Sequence, residues 1–203
     1  MIKCKWPCLK FLFLIVPVLL YLCGCSSTHV STLPPVYKPE KLKPEIVIPD
    51  SIMSELNKFK IRPWKYIVIH HSASNSGNAD SIGKYHKNER GWVNGLGYHF
   101  LIGNGSGSRD GQIEVGNRWD DQIDGAHAGN GEYNKHGVGI CLVGNFENDY
   151  PTNSQISSLT YLINYLQKRC NIPRNQVIMH RTFRKTACPG RHFPYNKVMA
   201  SVR

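Results

Sequence analysis

Two hydrophobic textures alternate along residues 66–179 of this chain. Short apolar runs of strand length occur at Tyr66-Ile-Val-Ile-His-His71, Gly97-Tyr-His-Phe-Leu-Ile-Gly103, Gln112-Ile-Glu-Val115, Gly137-Val-Gly-Ile-Cys-Leu-Val-Gly144 and Val177-Ile-Met179, several of them rich in β-branched residues. In the first, period-two alternation puts Val68 and His70 on one face and Ile69 and His71 on the other. In the second, Tyr98 and Phe100 are expected to share a face, with His99 opposite. Asp110-Gly111 predicts a hairpin into the third. The fourth run is apolar throughout and bounded by glycine, the texture of a central strand buried on both faces.

Helical periodicity fills the gaps. Ile82, Tyr85, His86 and Glu89 recur at helical spacing over residues 80–90, with Gly91 as the stop. Thr152-Asn-Ser-Gln155 reads as a capping box ahead of Ile156, Leu159, Leu162, Ile163 and Leu166. That helix should end near Cys170-Asn171, with Pro173 beyond. Strands alternating with helices around a buried strand predict an α/β domain, a central mixed β-sheet flanked by helices. No internal repeat is present.

The first 60 residues have a different character. A cationic start leads into the apolar run at residues 11–22, too short for a comfortable membrane span of about 20 residues and suited to a signal-peptide core. Leu22-Cys23-Gly24-Cys25-Ser26 follows and resembles a bacterial lipobox. That resemblance implies a signal peptide over 1–24, lipidation of Cys25, and an outer-membrane destination facing the periplasm, given Ser26; an uncleaved anchor or an ordinary signal peptide is the alternative. Residues 25–60 then read as a lipidated N-terminus and Pro-rich tether, leaving a folded domain over 61–203.

Charge changes the picture modestly. The chain carries 25 Lys+Arg against 14 Asp+Glu. Without Lys3, Lys5 and Lys10 of the leader, 22 basic residues face 14 acidic ones, a balance of +8. This suits an anionic polymer or headgroup as readily as it suits plain solubility. No RNA-binding signature or zinc-finger pattern occurs, so nucleic acid is not an expected partner.

The chemistry concentrates in His180-Arg-Thr-Phe-Arg-Lys-Thr-Ala-Cys188-Pro-Gly190. An imidazole at the end of a strand and a thiol eight positions on can be aimed at one point, and both donors suit Zn²⁺. A third ligand must come from elsewhere. Among nine histidines, His70 stands out at the end of a buried strand. His71 falls on the opposite face and reads as structural, His29 lies in the tether, His86 and His136 have no special context, and His192 lacks a strand to fix it.

Five segments in order, Ile69-His-His-Ser-Ala73, Gly97-Tyr-His-Phe100, Gly125-Ala-His-Ala128, Gly137-Val-Gly-Ile140 and His180-x₇-Cys-Pro-Gly190, resemble the zinc N-acetylmuramoyl-L-alanine amidases of the type-2 family. Peptidoglycan recognition proteins and a phage lysozyme belong to it. The resemblance covers roughly residues 66–194. It implies Zn²⁺ held by His70, His180 and Cys188, with a fourth position open to water, as in catalytic zinc sites. Members that have lost activity usually lack the cysteine.

The implied reaction is hydrolysis of the amide between the lactyl group of N-acetylmuramic acid and L-alanine, in peptidoglycan or muropeptides. The resemblance assigns Tyr98 to orient water or donate to the oxyanion, and Thr186 stands where the phage enzyme has lysine. Relatives that trim wall fragments carry carboxylates on the central strand, where this chain has Cys141-Leu142-Val143, so the role of base falls on Tyr98. His127 is expected to contact the sugar or stem. Arg118 and Trp119 are candidates to meet the acidic stem.

Two alternatives stand beside the enzyme. One is a peptidoglycan-binding module on the same fold with little turnover. The other, a zinc protease, is disfavoured because no His-Glu-x-x-His helix occurs. Cys141 and Cys170 are left over as either a disulfide or two buried thiols.

Overall fold

The computed structural model describes residues 50–57 and 60–203. Cys25 and the expected signal peptide and tether up to residue 49 lie outside the described residues. Among the described residues no helix is long and apolar enough to cross a membrane.

Helix α1 (Asp50–Asn57) is followed by strand β1 (Tyr66–His71) and helix α2 (Ala79–Arg90). Strands β2 (Phe100–Ile102) and β3 (Ile113–Val115) form the expected antiparallel hairpin. Two short helices, α3 (Asn117–Asp120) and α4 (Gly131–His136), precede β4 (Gly137–Leu142). The long helix α5 (Asn153–Cys170), strand β5 (Val177–Met179) and helix α6 (Tyr195–Ser201) complete the chain. The sheet order is β3-β2-β4-β1-β5, with β1 parallel to both β4 and β5, and β2 parallel to β4. This is a mixed sheet with flanking helices.

Local signals explain the helix ends. Thr152 caps α5 through Gln155, whose side chain returns to the Thr152 N–H, and Asn171 closes the helix with φ 55°. Asn78 and Ser81 do the same for α2, which ends at Gly91 with φ 67°, a left-handed conformation that glycine adopts without cost.

The two faces of the sheet are covered unequally. One face carries the main core: Ile67, Ile69, Phe100, Ile102, Ile140 and Leu142 pack under Leu159, Leu162, Ile163 and Leu166 of α5. Trp119 and Val198 close its edges. Helix α1 lies N-terminal to the boundary expected at residue 61 and belongs to this packing. Leu56 is fully buried, and the Tyr165 hydroxyl donates to its carbonyl at 2.9 Å. The other face has only Leu101, Cys141 and Val143 as its buried apolar centre, with Ile82 and Tyr98 against them. A thin layer on one face leaves room for polar side chains at the carboxyl ends of the parallel strands, where α/β sheets hold their ligands.

Two expected strands are altered. The run at 97–103 is a strand only from Phe100. Because the backbone bends over 97–99, alternation fails there: Tyr98 packs against the thin face and Phe100 enters the main core. Strand β5 is an edge, with Val177 buried and Ile178 and Met179 half-buried. Cys141 and Cys170 are both free thiols. They pack against opposite sides of the sheet, so they form no disulfide.

Candidate metal centre

Parallel pairing assembles the centre. Ile69 pairs with Met179, so the next residues, His70 and His180, leave the ends of adjacent strands together and their ring centroids lie 4.6 Å apart. The loop after His180 turns back to bring in Cys188, held by Arg181 N–H to the Cys188 carbonyl at 3.0 Å. The ligand atoms of His70, His180 and Cys188 lie within 4.8 Å of one another.

The donors fit a metal in detail. His180 Nε2 lies 3.0 Å from the Ala128 carbonyl oxygen. A carbonyl only accepts, so Nε2 carries the hydrogen and Nδ1 keeps its lone pair. His70 Nδ1 lies 3.6 Å from Cys188 Sγ, and its Nε2 is engaged by His127 Nδ1 at 2.9 Å. The sulfur accepts the His71 N–H at 3.4 Å, a contact that favours thiolate. Two imidazoles and a thiolate form a borderline-soft set suited to zinc.

Burial sets the charge states. The His70 pKa is lowered well below the usual imidazole value, first by burial and then by the neighbouring His127, His180 and His71. His180 is lowered by burial, and His127 is lowered by burial to about 3. All three imidazoles are therefore neutral and available at neutral pH. Burial pushes the Cys188 thiol up to about 12. In the metal-free protein it holds its proton, and a cation is what would ionise it.

Around this centre lie two hollows. One of about 430 Å³ is lined by Trp92, Ala126, His127, Asn134, His180 and Arg184. A larger groove of about 780 Å³ runs past Ser72, Ile82, His86, Arg90, Trp92 and Tyr98. Neither lining contains a carboxylate, consistent with the absence of an acid on β4.

The other expected site residues divide. Tyr98 lies beside the centre, its ring 5.2 Å from that of His70. Burial raises its pKa well above 10, with the Cys141 and Cys188 thiols adding to the rise. Its phenol therefore stays protonated at neutral pH. In the metal-free protein it is a hydrogen-bond donor rather than a base. Thr186 Oγ1 accepts the Cys188 N–H at 3.2 Å, so it shapes the ligand loop while its own hydrogen remains available.

His127 is buried with both nitrogens taken, Nδ1 by His70 and Nε2 by the Gly137 carbonyl at 3.2 Å. It presents a ring wall and no free polar atom to a substrate. Arg118 and Trp119, expected to meet the acidic stem, are buried instead. Trp119 is fully buried against Phe100, centroids 4.8 Å apart. Arg118 is buried, its Nε donating to the Leu96 carbonyl at 2.6 Å and its Nη1 to that of Asp124. Trp119 faces the core and Arg118 ties the loop together, and neither lines either of the two hollows.

Sequence reasoning passed over His86. It is buried on α2, its Nδ1 accepting the Gly97 N–H at 3.1 Å, and it walls the larger groove. Its signal was available in part, as a polar residue on the helix's core-facing stripe. Arg184 was also passed over; its Nη1 donates to the Gly129 carbonyl at 2.6 Å, at the rim of the smaller hollow.

The fold is that of the type-2 amidases and peptidoglycan recognition proteins, and residues 60–191 match the model of the N-acetylmuramoyl-L-alanine amidase family. The chain belongs to that family. Its relatives include the Drosophila melanogaster peptidoglycan-recognition protein SC1a, 32% identical over 136 residues, covering 63% of this chain and 68% of that one. Among solved structures, the amidase LysC from Clostridium intestinale is 35% identical with a TM-score of 0.60, covering 70% of this chain and 87% of its own. A Drosophila peptidoglycan-recognition protein LB variant in complex with tracheal cytotoxin is 30% identical with a TM-score of 0.55, covering 68% and 82%.

Proposed function

We propose that this protein is a zinc-dependent N-acetylmuramoyl-L-alanine amidase that cleaves the amide between N-acetylmuramic acid and L-alanine in peptidoglycan or muropeptides. The observation that carries this reading is the convergence of His70, His180 and Cys188 beside an open groove. Bound there, Zn²⁺ supplies Lewis acidity towards a carbonyl and acidity towards water.

The chain's own residues do the rest. Tyr98, held protonated by burial, donates to the oxygen of the carbonyl under attack. Thr186 offers a second hydroxyl from the ligand loop. Arg90 and Arg184, at the walls of the two hollows, attract the anionic peptide stem. The likeness to a recognition protein in complex with tracheal cytotoxin supports a wall-derived ligand.

Incubating the purified protein with sacculi tests this directly. Stem peptides bearing a free N-terminal alanine, detected by mass spectrometry and lost on chelation, are the expected products. Tight binding with no release, unaffected by chelator, would replace the enzyme with a binding module.

We also propose that the mature chain is anchored through lipid on Cys25, a reading supported by the apolar run at 11–22 and Leu22-Cys-Gly-Cys25. Labelled palmitate should enter the protein and fail to enter Cys25→Ser. Equal labelling of both would exclude that anchor.

A further inference from the structure

The two imidazole ligands receive their orientation from one short loop, and they receive it differently. His180 is set in a single step, its Nε2–H donating to the Ala128 carbonyl. His70 meets no carbonyl. Its Nε2 meets His127 Nδ1 at 2.9 Å, while His127 Nε2 lies 3.2 Å from the Gly137 carbonyl. Because that carbonyl only accepts, His127 carries its hydrogen on Nε2 and, being neutral, accepts at Nδ1. His70 must then carry its hydrogen on Nε2, which leaves the Nδ1 lone pair on the side of Cys188. The order of donors runs from His70 through His127 to the backbone without an ambiguous link.

The surroundings are built for this ring. A Cβ on Gly125 would come within 2.3 Å of His127 Cδ2, and one on Gly139 within 2.5 Å. The imidazole thus lies flat against bare backbone of the central strand. The loop itself is pinned by one side chain, Asn134, whose Oδ1 accepts the N–H of His127 at 3.0 Å and of Ala128 at 2.8 Å. Asn134 thereby holds the outer partner of both ligands.

We propose that residues 125–128, pinned by Asn134, form the outer shell of the metal centre, with His127 a positioning residue that fixes the tautomer of His70. Outer-shell partners of ligating histidines are commonly carboxylates or carbonyls; a neutral imidazole orients the ligand without adding negative charge to the site. The inference rests on the metal reading of the His70, His180 and Cys188 triad.

The test compares His127→Asn with His127→Leu in the full chain. The two side chains are close in size, and Asn keeps an acceptor near the place of Nδ1. Zinc affinity is measured without substrate by competition with a chromophoric chelator, and the Co²⁺ visible spectrum reports ligand geometry. His127→Leu should weaken zinc binding about 10- to 100-fold and alter the Co²⁺ bands, while His127→Asn returns both most of the way to the parent. Gly139→Ala, which keeps His127 but displaces its ring, should resemble His127→Leu, and it decides the matter if neither substitution at 127 folds. Equal affinities for Leu, Asn and parent would overturn the role of His127. A parent that binds no zinc would instead overturn the metal reading, and this inference with it.

Discussion

His180 stands beside His70 because Met179 pairs with Ile69: parallel register carries two residues 110 positions apart in sequence to neighbouring strand ends, with ring centroids 4.6 Å apart. Cys188 reaches the same point only because the loop between folds back, Arg181 N–H binding the Cys188 carbonyl. The centre is therefore a property of sheet register plus one closed loop.

Removing a ligand should remove the metal. His70→Ala and Cys188→Ala should each bring zinc content well below one per chain after dialysis and abolish product release. Because both side chains line an otherwise satisfied site, circular dichroism should be little changed. Full zinc in both variants would refute the ligand set.

Zinc affinity should depend on pH through the thiol. The histidines, depressed by burial, are already deprotonated above pH 7, whereas Cys188 holds its proton up to about 12. Each zinc bound displaces one proton, so affinity should rise roughly tenfold per pH unit between about pH 7 and 8. Calorimetry in buffers of different ionisation enthalpy checks the proton count; a count of zero contradicts the assignment.

Acid should destabilise the metal-free protein. His127 binds its proton near 3 when folded and at about 6.5 when unfolded. Between those values the unfolded state takes up protons that the folded state does not, so stability is complete above about 6.5 and falls as pH drops. His99, also lowered by burial, adds in the same direction. The melting temperature should be level above pH 7 and decline towards pH 4; a flat profile over that span would contradict the buried neutral pair.

Tyr98→Phe keeps the ring and loses the donor. Turnover should fall about 10²- to 10³-fold, the usual loss for one oxyanion donor, with zinc content and melting temperature near those of the parent. A variant of unchanged rate would remove Tyr98 from the chemistry.

Trp119 should behave as core. Trp119→Ala is expected to cost about 3–5 kcal/mol of stability, the range for a large buried aromatic, measured by urea denaturation. A rise in KM with stability intact would restore it to the substrate surface.

Much of the fold was legible because its signals are local. The capping box at Thr152, the glycine stop at Gly91 and the apolar run of β4 each act over a few residues, and each appears as expected. Alternation on β1 separated His70 from His71 correctly, since that strand is regular from Tyr66 to His71. The same rule misplaced Tyr98 relative to Phe100, because the chain bends before Phe100 and period two has no meaning across a bend. Arg118 and Trp119 read as exposed because their segment is polar and short, and such a segment carries too few residues for its buried side to show as a period.

The sequence by itself determined the family, the donor types and their order along the chain, since these depend on residue identity and near spacing. Tertiary structure alone decided that His127 turns inward to His70, that Tyr98 packs half-buried against the thin face, and that the candidate site occupies that face. Those facts depend on register, burial and tautomer, which arise only when distant segments meet and exclude water.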